Sequence, residues 1–439
     1  MASERGLKVV VHVRDGATAG VRARSMAFSE RAPDLDGGDP AALAKAARAA
    51  MDGVTFGPPG DDAFHLDPIP RVIEAAEWAE LEAGLAQRVR ALDAWCADVY
   101  SQRAIVRDGV VPARVIETSD TLEPALRGLE LPAWIGIAGL DVVRAPDGRF
   151  LVLEDNVRTP SGMAYLAAAR ATIERLLRPA RAPAAVDDLR DMLRSAFAAV
   201  TSAPEPRAVV LTDGPQNSAY WEHARIAELL DVPLVEEVDP ARVDVVYRRT
   251  DASRLHTSVG RMLERPWRDG RIGLVNAFGV GVADDKLAHA YVEDMVRYYL
   301  GEEPRLGSVR TFDLGRPDVL AEALDRIDEL VVKPRAGYGG EGVVICPHAE
   351  PEDVRRIRDA VRACPEDYVA QELVELSEHP TVVDGAVEPR HVDLRPFVFL
   401  GPGGSARVLP GGLTRVALDA GTLVVNSSQN GGVKDTWVL

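Results

Sequence analysis

The sequence predicts an α/β protein in which a hairpin-built sheet is joined to a separate small parallel α/β domain, and three stretches carry that prediction. Ala208–Leu211 is a continuous apolar run ending in a polar loop; a helical pattern at Ile226, Leu229 and Leu230 follows, then Leu234-Val235 and Val243–Tyr247. That alternation of strand and helix is the signature of a parallel sheet. Gly139–Asn156 sets Asp147-Gly148 between two apolar runs, a hairpin signal. Val331-Val332-Lys333 runs into Gly337, Gly339, Gly340 and Gly342 and out through Val343-Val344-Ile345, a second hairpin with glycines at its tip.

A chain of 439 residues holds two or three domains, and 46% hydrophobic residues is ordinary for buried cores. No apolar run has the length of a membrane span, and Met1–Gly6 lacks the apolar core of a signal peptide, so a cytoplasmic location is expected. A formal charge of −17 disfavours nonspecific binding to nucleic acid or an anionic membrane. Cys96, Cys346 and Cys364 are odd in number and lack C-x-x-C spacing, so buried thiols are expected rather than a disulfide frame or a zinc site.

Residues 1–50 carry no assignable chemistry: Val9–Val13 could be a strand, and Asp34–Pro40 is a polar break. Glu74–Tyr100 reads as a helix whose Trp78, Leu81, Leu85, Val89, Leu92, Cys96 and Val99 form a core-facing stripe. If Asp147-Gly148 is a two-residue turn, Pro146 pairs with Arg149 and Asp141 falls opposite Glu154. Facing carboxylates repel. Asn156, two residues beyond Glu154, shares its face, and two carboxylates with an amide oxygen suit Mg²⁺ held together with substrate phosphates. A solvated acidic face after a one-residue register slip is the alternative. Helices are expected over Ser161–Leu177 and Asp187–Val200, and Ser202–Pro206 reads as a linker.

Ligands of parallel α/β domains sit at the carboxyl ends of strands, which makes the loop with Asn217, Ser218, Tyr220, Glu222 and His223 a candidate substrate wall, or else a capping loop. Lys286 opens a helix expected to reach about Leu300; a lysine there opposes the macrodipole, and a bound anion would explain it. Lys333 before a glycine-rich tip suits phosphate, although an ordinary hairpin has the same look. Val354–Cys364 is a helix and Asp367–Leu373 a strand; His391, Asp393 and Arg395 alternate onto one strand face. Arg395 and Arg415 could contact a transferring phosphate or a substrate carboxylate, or form structural salt bridges. Asn426–Trp437 is a polar terminal loop that could line a site or close the domain.

These pieces resemble the ATP-grasp set: Lys286 in a D-K-opened helix, Lys333 before its glycines, Gln371-Glu372-Leu373 as a hinge strand, and the triad Asp141, Glu154, Asn156. The triad precedes the lysines. That order, with Gly214–His223, Pro389–Phe397 and Lys434–Leu439, resembles the circularly permuted ATP-grasp type 2 family, itself similar to the synthetase part of glutathionylspermidine synthetases. The resemblance covers residues 52 to 439 and implies a circularly permuted ATP-grasp fold into which the small parallel domain is inserted by chain order. It divides the chain into an unassigned segment 1–50, a helical region with the metal hairpin at 51–200, a small substrate domain at 207–300, a lid at 301–375 and the rest of the catalytic sheet at 376–439.

The resemblance further implies that Lys286, Lys333 and the glycines Gly337, Gly339 and Gly340 bind ATP phosphates, that Gln371, Glu372 and Leu373 lie at the adenine, and that Asp141, Glu154 and Asn156 hold Mg²⁺. Lys333, Arg395 and Arg415 would act in catalysis. The expected activity is ATP- and Mg²⁺-dependent ligation of a small-molecule or peptide carboxylate to an amine through an acyl phosphate. A small-molecule phosphotransferase and a non-catalytic ATP-binding scaffold are the alternatives. Glutathionylspermidine synthetases carry an arginine where this chain has Gly139, so a shared substrate does not follow.

Overall fold

The structure, a computed structural model, describes residues 27–33, 39–57, 64–177, 181–337, 341–419, 421, 425 and 431–439. Val9–Val13, Gly339, Gly340, Asn426–Asn430 and most of Asp34–Pro40 lie outside the described residues. The chain forms two compact units, one of Val309–Glu375 and one of Ala27–Ser308 with Leu376–Leu439.

The main sheet of the larger unit runs Ala406–Val408, Phe397–Leu400, Ile137–Arg144, Ala386–Arg395, Leu413–Val416, Gly432–Lys434, and Phe150–Asn156 also pairs with Ile137–Arg144. Asp141 does pair with Glu154, by a route other than the expected one. The turn is a three-residue loop: Ala145, not Pro146, bonds Arg149 (2.9 Å), and Gly148 takes φ +86°, the left-handed residue that ends such loops. This shifts the register by one, and a bulge at Leu153, between the pairs Val142–Val152 and Asp141–Glu154, shifts it back. The two irregularities cancel at the far end.

The helix Ala75–Tyr100 buries Trp78, Leu81, Leu85, Val89, Leu92, Cys96 and Val99 as its spacing requires. Its Arg88 is buried too and holds Asp155 through Nε (2.6 Å) and Nη2 (2.7 Å), while His289 Nδ1 lies 2.7 Å from the same carboxylate. Residues 27–33, from the segment with no assigned chemistry, supply Glu30, a buried carboxylate shared by Arg71 and Arg144. Cys96 and Cys346 are buried as expected, but Cys364 is exposed, because the helix Pro351–Ala363 stops just before it. Among the described residues no helix is long and apolar enough to cross a membrane.

The small sheet is parallel throughout, in the order Leu234–Val235, Ala208–Thr212, Val245–Arg249, Gly273–Val275. The third strand starts and ends two residues later than its apolar run suggests, which brings Arg248 and Arg249 into it. Both are buried; Arg248 donates to the carbonyls of Asn276 (3.0 Å) and Ala277 (3.1 Å). The helix expected from Lys286 to about Leu300 is broken into Lys286–His289, Val292–Met295 and a wide turn Val296–Leu300. The break falls at Tyr291, whose backbone (φ −118°, ψ 4°) leaves the helical region.

The smaller unit is a sheet in the order Val344–Ile345, Leu330–Pro334, Tyr368–Glu372, Thr311–Phe312, packed on the helices Pro317–Asp325 and Pro351–Ala363. Val332 and Ala370 pair and both enter that core with Phe312, Ile357 and Val361. Side chains alternate along a strand, so Lys333 and Gln371 are on the other face. The expected return strand is present, with Val332 opposite Val344. Gly337 (φ +104°) and Gly342 (φ +71°) flank the tip in conformations that L side chains rarely adopt.

Candidate active site

One face of the larger unit's sheet gathers most of the polar residues singled out from the sequence. Asp141 and Glu154 are paired, Gly139 is opposite Asn156, Leu394 is opposite Val142, and Asp393 is opposite Arg415. Opposed residues share a face, and so do residues two apart, so Asp141, Glu154, Asn156, Asp393, Arg395 and Arg415 all project to one side. Asp155, between Glu154 and Asn156, points to the buried side and into its Arg88–His289 pairing.

The charge that the facing carboxylates demand comes first from the protein itself. Arg395 grips Asp141 with Nε on Oδ1 (2.7 Å) and Nη2 on Oδ2 (2.9 Å), and Arg415 Nη2 is 3.0 Å from Oδ2. Burial alone would raise the Asp141 carboxyl, but the two guanidinium groups outweigh it and hold it down to about 2. Arg415 is also hydrogen-bonded to Asp393 and is buried. Glu154 is half-buried with no ion pair among the described residues, and the buried Asn156 Nδ2 has no hydrogen-bond partner there. A half-buried carboxylate beside an amide side chain, whose oxygen can ligate and whose unsatisfied Nδ2 can donate to a phosphate oxygen, fits Mg²⁺ carrying phosphate oxygens, which needs only one or two protein carboxylates. Asp141 has both oxygens engaged by Arg395 and Arg415.

The segment Val157–Gly162 after Asn156 ties these residues to the small sheet. At its start, Asp284 Oδ2 accepts from the N–H groups of Val157 and Arg158, each at 3.0 Å, and Asp284 directly precedes Asp285 and Lys286. Asp285 caps the short helix by accepting from Leu287 N–H (2.9 Å), with Lys286 half-buried at its first position. Asn276, at the end of the small sheet, accepts from the amides of Gly136 (2.7 Å) and Ile137 (2.9 Å) and donates to the carbonyls of Ile137 and Val157. At the segment's end, Arg249 donates to Pro160 O (2.6 Å) and Ser161 Oγ (2.5 Å), and Arg395 Nη1 reaches Ser161 O (3.4 Å).

The residues of the expected substrate wall separate into two sets. Glu222 is fully buried; Oε1 pairs with Arg249 (2.9 Å), and Oε2 accepts from the N–H groups of Gly162 (2.8 Å) and Ala164 (3.0 Å), capping the helix Met163–Leu176 from outside its own chain segment. His223 is buried against Thr212 Oγ1 (2.9 Å). Burial, helped by Arg249, pushes its imidazole down to about 2, so it stays neutral. Asn217 folds back on its own loop, accepting from Ala219 N–H (3.0 Å), whereas Ser218 is exposed and Tyr220 half-buried. This loop and Thr250-Asp251 follow the two central strands, and Asp213 bridges them by accepting from Asp251 N–H (2.6 Å).

His379 resembles His223 in being buried, and burial with Lys434 and Arg71 nearby also pushes it down to about 2. In the unfolded chain both imidazoles take up a proton near their ordinary value of about 6.5, while in the folded protein neither does. The unfolded state therefore binds more protons below about pH 6.5, and stability present above that pH is lost as pH falls, by up to ~1.4 kcal/mol per unit for each histidine. Urea unfolding at pH 7 and pH 5 is expected to show this decline, and His223→Gln to reduce it; an unchanged pH dependence in the variant would contradict the assignment.

On the smaller unit, Lys333 and Gln371 share the face away from the helices, and Gln371 Nε2 donates to Thr311 Oγ1 (2.9 Å). The Glu372 side chain points to the opposite face, between Arg310 (3.3 Å) and Arg326 (3.2 Å), and Leu373 follows the strand's end. Gly139, where glutathionylspermidine synthetases carry arginine, has no room for a side chain: a Cβ there would lie 2.8 Å from Pro160 and 3.2 Å from Phe397.

Hairpin, broken helix, small parallel sheet and glycine-tipped strand pair are the elements expected of the ATP-grasp class. The chain belongs to the circularly permuted ATP-grasp type 2 family, which it matches over residues 70–417. It is 44% identical over 419 residues to a Frankia casuarinae protein named provisionally as a glutamate–cysteine ligase, covering 88% of this chain and 48% of that protein. It is 42% identical to an uncharacterised Mycobacterium bovis protein (89% of this chain, 77% of the other) and 41% identical to one from Synechocystis (88% of each). The chain thus spans about half the length of the Frankia relatives it matches. A glutathione synthetase-like effector from Globodera pallida shares the fold, with a TM-score of 0.62 over 93% of this chain and all of the other, at 11% identity.

Proposed function

We propose that this protein is an ATP- and Mg²⁺-dependent carboxylate–amine ligase that acts through an acyl phosphate. The observation that supports it most directly is the sheet face on which Glu154 and Asn156, with its unsatisfied Nδ2, stand beside an Arg395 locked by Asp141, with Asp284, next to Asp285 and Lys286, holding the residues just after that strand. On the larger unit, Glu154 and Asn156 would hold Mg²⁺, which when bound neutralises phosphate charge. Lys286 offers a positive charge to the phosphates. Arg395, its Nε edge fixed by Asp141, is pre-organised to face charge developing on the transferred phosphoryl group. Arg415 holds Asp141 and Asp393 in place behind it.

On the smaller unit, Lys333 would take a phosphate and Gln371 the adenine, with the main chain of Glu372 and Leu373 beside it. Gly337, at the start of the tip, would let the backbone come close to a phosphate. Ser218 and Tyr220 are the members of the loop 217–223 best exposed to meet a substrate; Asn217 shapes that loop, and Glu222 and His223 act from behind its surface.

The substrates are proposed only as an amino-acid-like or peptide-like carboxylate and an amine. The glutamate–cysteine ligase name belongs to relatives of which this chain covers about half, so the named activity can reside in the other half. ADP release is expected to require both a carboxylate and an amine from a screened panel, with stoichiometric amide formed. A stable phosphorylated product without amine would make it a phosphotransferase, and ATP binding without carboxylate-dependent turnover would count against catalysis altogether.

A further inference from the structure

We infer that a buried polar cluster behind the main sheet, formed by Glu30, Arg71, Arg144, Ser377 and His379, binds ordered water as a permanent part of the fold. Main-chain bonds from Glu378 N–H to Phe28 O (2.9 Å) and from Glu30 N–H to Glu378 O (2.8 Å) lay residues 28–30 parallel to the strand Glu378–Val383, with Ser29 opposite Glu378. Opposed residues share a side and their neighbours take the other, so Phe28 and Glu30 project inward with Ser377 and His379, while Ser29 is exposed. Glu30, Ser377 and His379 are all buried. Arg71 Nη2 donates to Glu30 Oε1, and Arg144 Nη1 lies 3.3 Å from Oε2. Arg144 is three residues beyond Asp141 in the same strand and so projects from the opposite face of the sheet.

Each of the five residues keeps one buried polar atom with no hydrogen-bond partner among the described residues: Glu30 Oε2, Arg71 Nε, Arg144 Nε, Ser377 Oγ and His379 Nδ1. Buried polar atoms in folded proteins are nearly always satisfied, so their concentration in one place marks an occupant. Its chemical class follows from which atoms donate. The two Nε–H groups can only donate, and Glu30 Oε2 can only accept. His379 Nε2 is 3.2 Å from Arg31 O, a group that only accepts, and burial keeps the imidazole neutral; the ring proton is therefore on Nε2, and Nδ1 offers a lone pair. An anion would face the Glu30 carboxylate and that lone pair, and a cation would face two guanidinium groups. Water both donates and accepts, so it alone suits the whole set. Lys434 and Asp67, which pack on the same strand, are by contrast engaged: Lys434 donates to Asp67 and to Pro380 O (3.0 Å), and Asp67 accepts from the N–H groups of Ile69 (3.0 Å) and Val382 (2.7 Å).

The test uses the unaltered full chain without nucleotide, so its outcome does not depend on the ligase reading. A crystal structure at a resolution that shows interior waters elsewhere is expected to place at least one water in hydrogen-bonding reach of His379 Nδ1 or Glu30 Oε2 and of a second atom of the five. In solution, with the histidines isotopically labelled, the carbon-bound ring protons of His379 are expected to show a water NOE of the sign given by a long-lived bound molecule. Side chains that bond directly to one another, with no water between them, would overturn the inference, as would the lack of any water NOE at His379. Crystals soaked separately in bromide and in rubidium distinguish the remaining occupants: an anomalous peak among the five residues would assign the cluster to an ion and overturn the assignment to water.

Discussion

Replacing Glu154 by glutamine is expected to lower carboxylate-dependent ADP release by roughly 10²–10³-fold, the usual cost of removing one pre-organised electrostatic contact at a reacting phosphate. Glu154 has no ion pair among the described residues and stands on the sheet face with Asp141 and Asn156. Its carboxylate therefore contributes little to holding the fold, and stability is expected to move by no more than about 0.5 kcal/mol. A Mg²⁺ titration gives the specific signature, since the variant should need more of the ion for half-maximal turnover. Full activity in Glu154→Gln at ordinary Mg²⁺ would remove the carboxylate from the proposed site.

One residue further on, the expectation reverses. Asp155→Ala is expected to cost ~3–5 kcal/mol of stability, the range for breaking a buried pair and leaving its partner charge uncompensated. Arg88 and Asp155 are both only 2% exposed, and His289 shares the carboxylate. Burial would raise the Asp155 carboxyl, but Arg88 and His289 outweigh it and hold it well below the ordinary carboxylate range, so the pairing persists far into acid. Urea unfolding at neutral pH measures the loss. Replacing both partners, as in Arg88→Met with Asp155→Leu, should recover part of it, because two apolar groups leave no stranded charge. A loss under 1 kcal/mol in Asp155→Ala would show that the pair is not structural.

The contrast between these neighbours explains what the sequence made legible. The alternation that puts Glu154 and Asn156 on one face is local and legible, but counting from Asp147-Gly148 reached the Asp141–Glu154 pairing only because a bulge that nothing in the sequence marks offsets the extra loop residue. The small parallel sheet and the glycine-tipped hairpin were legible for the same reason, being patterns over a few neighbouring residues. The pairing of Asp155 with Arg88 and His289 was not, because its members lie 67 and 134 positions apart and no local period links them.

Glu222 and His223 show the opposite error. Polar residues next to a strand end suggest a ligand wall, but the buried Arg249 that engages Glu222 entered its strand beyond the apolar run that marked it. Asp284 was hidden within an Asp-Asp-Lys sequence read for its lysine, and only the fold shows that it carries the amides of Val157 and Arg158. Arg395 and Arg415 were recognisable as guanidinium groups suited to anions. That their first anion is the protein's own Asp141 depends on strands more than 250 residues apart in sequence for Arg395.

The pairing within the smaller unit has a consequence for how such a protein can change over time. Its first strand, Thr311–Phe312, and its last, Tyr368–Glu372, are hydrogen-bonded neighbours, with Thr311 opposite Gln371 and Glu372 N–H donating to Arg310 O at 3.0 Å. The chain therefore departs for this unit and returns from it side by side. An insertion with adjacent ends adds little closure entropy to its host, whatever the length of the excursion. Residues 309–375 can accordingly gain, lose or exchange material between those two strands while the strand register of the remaining chain stays as it is.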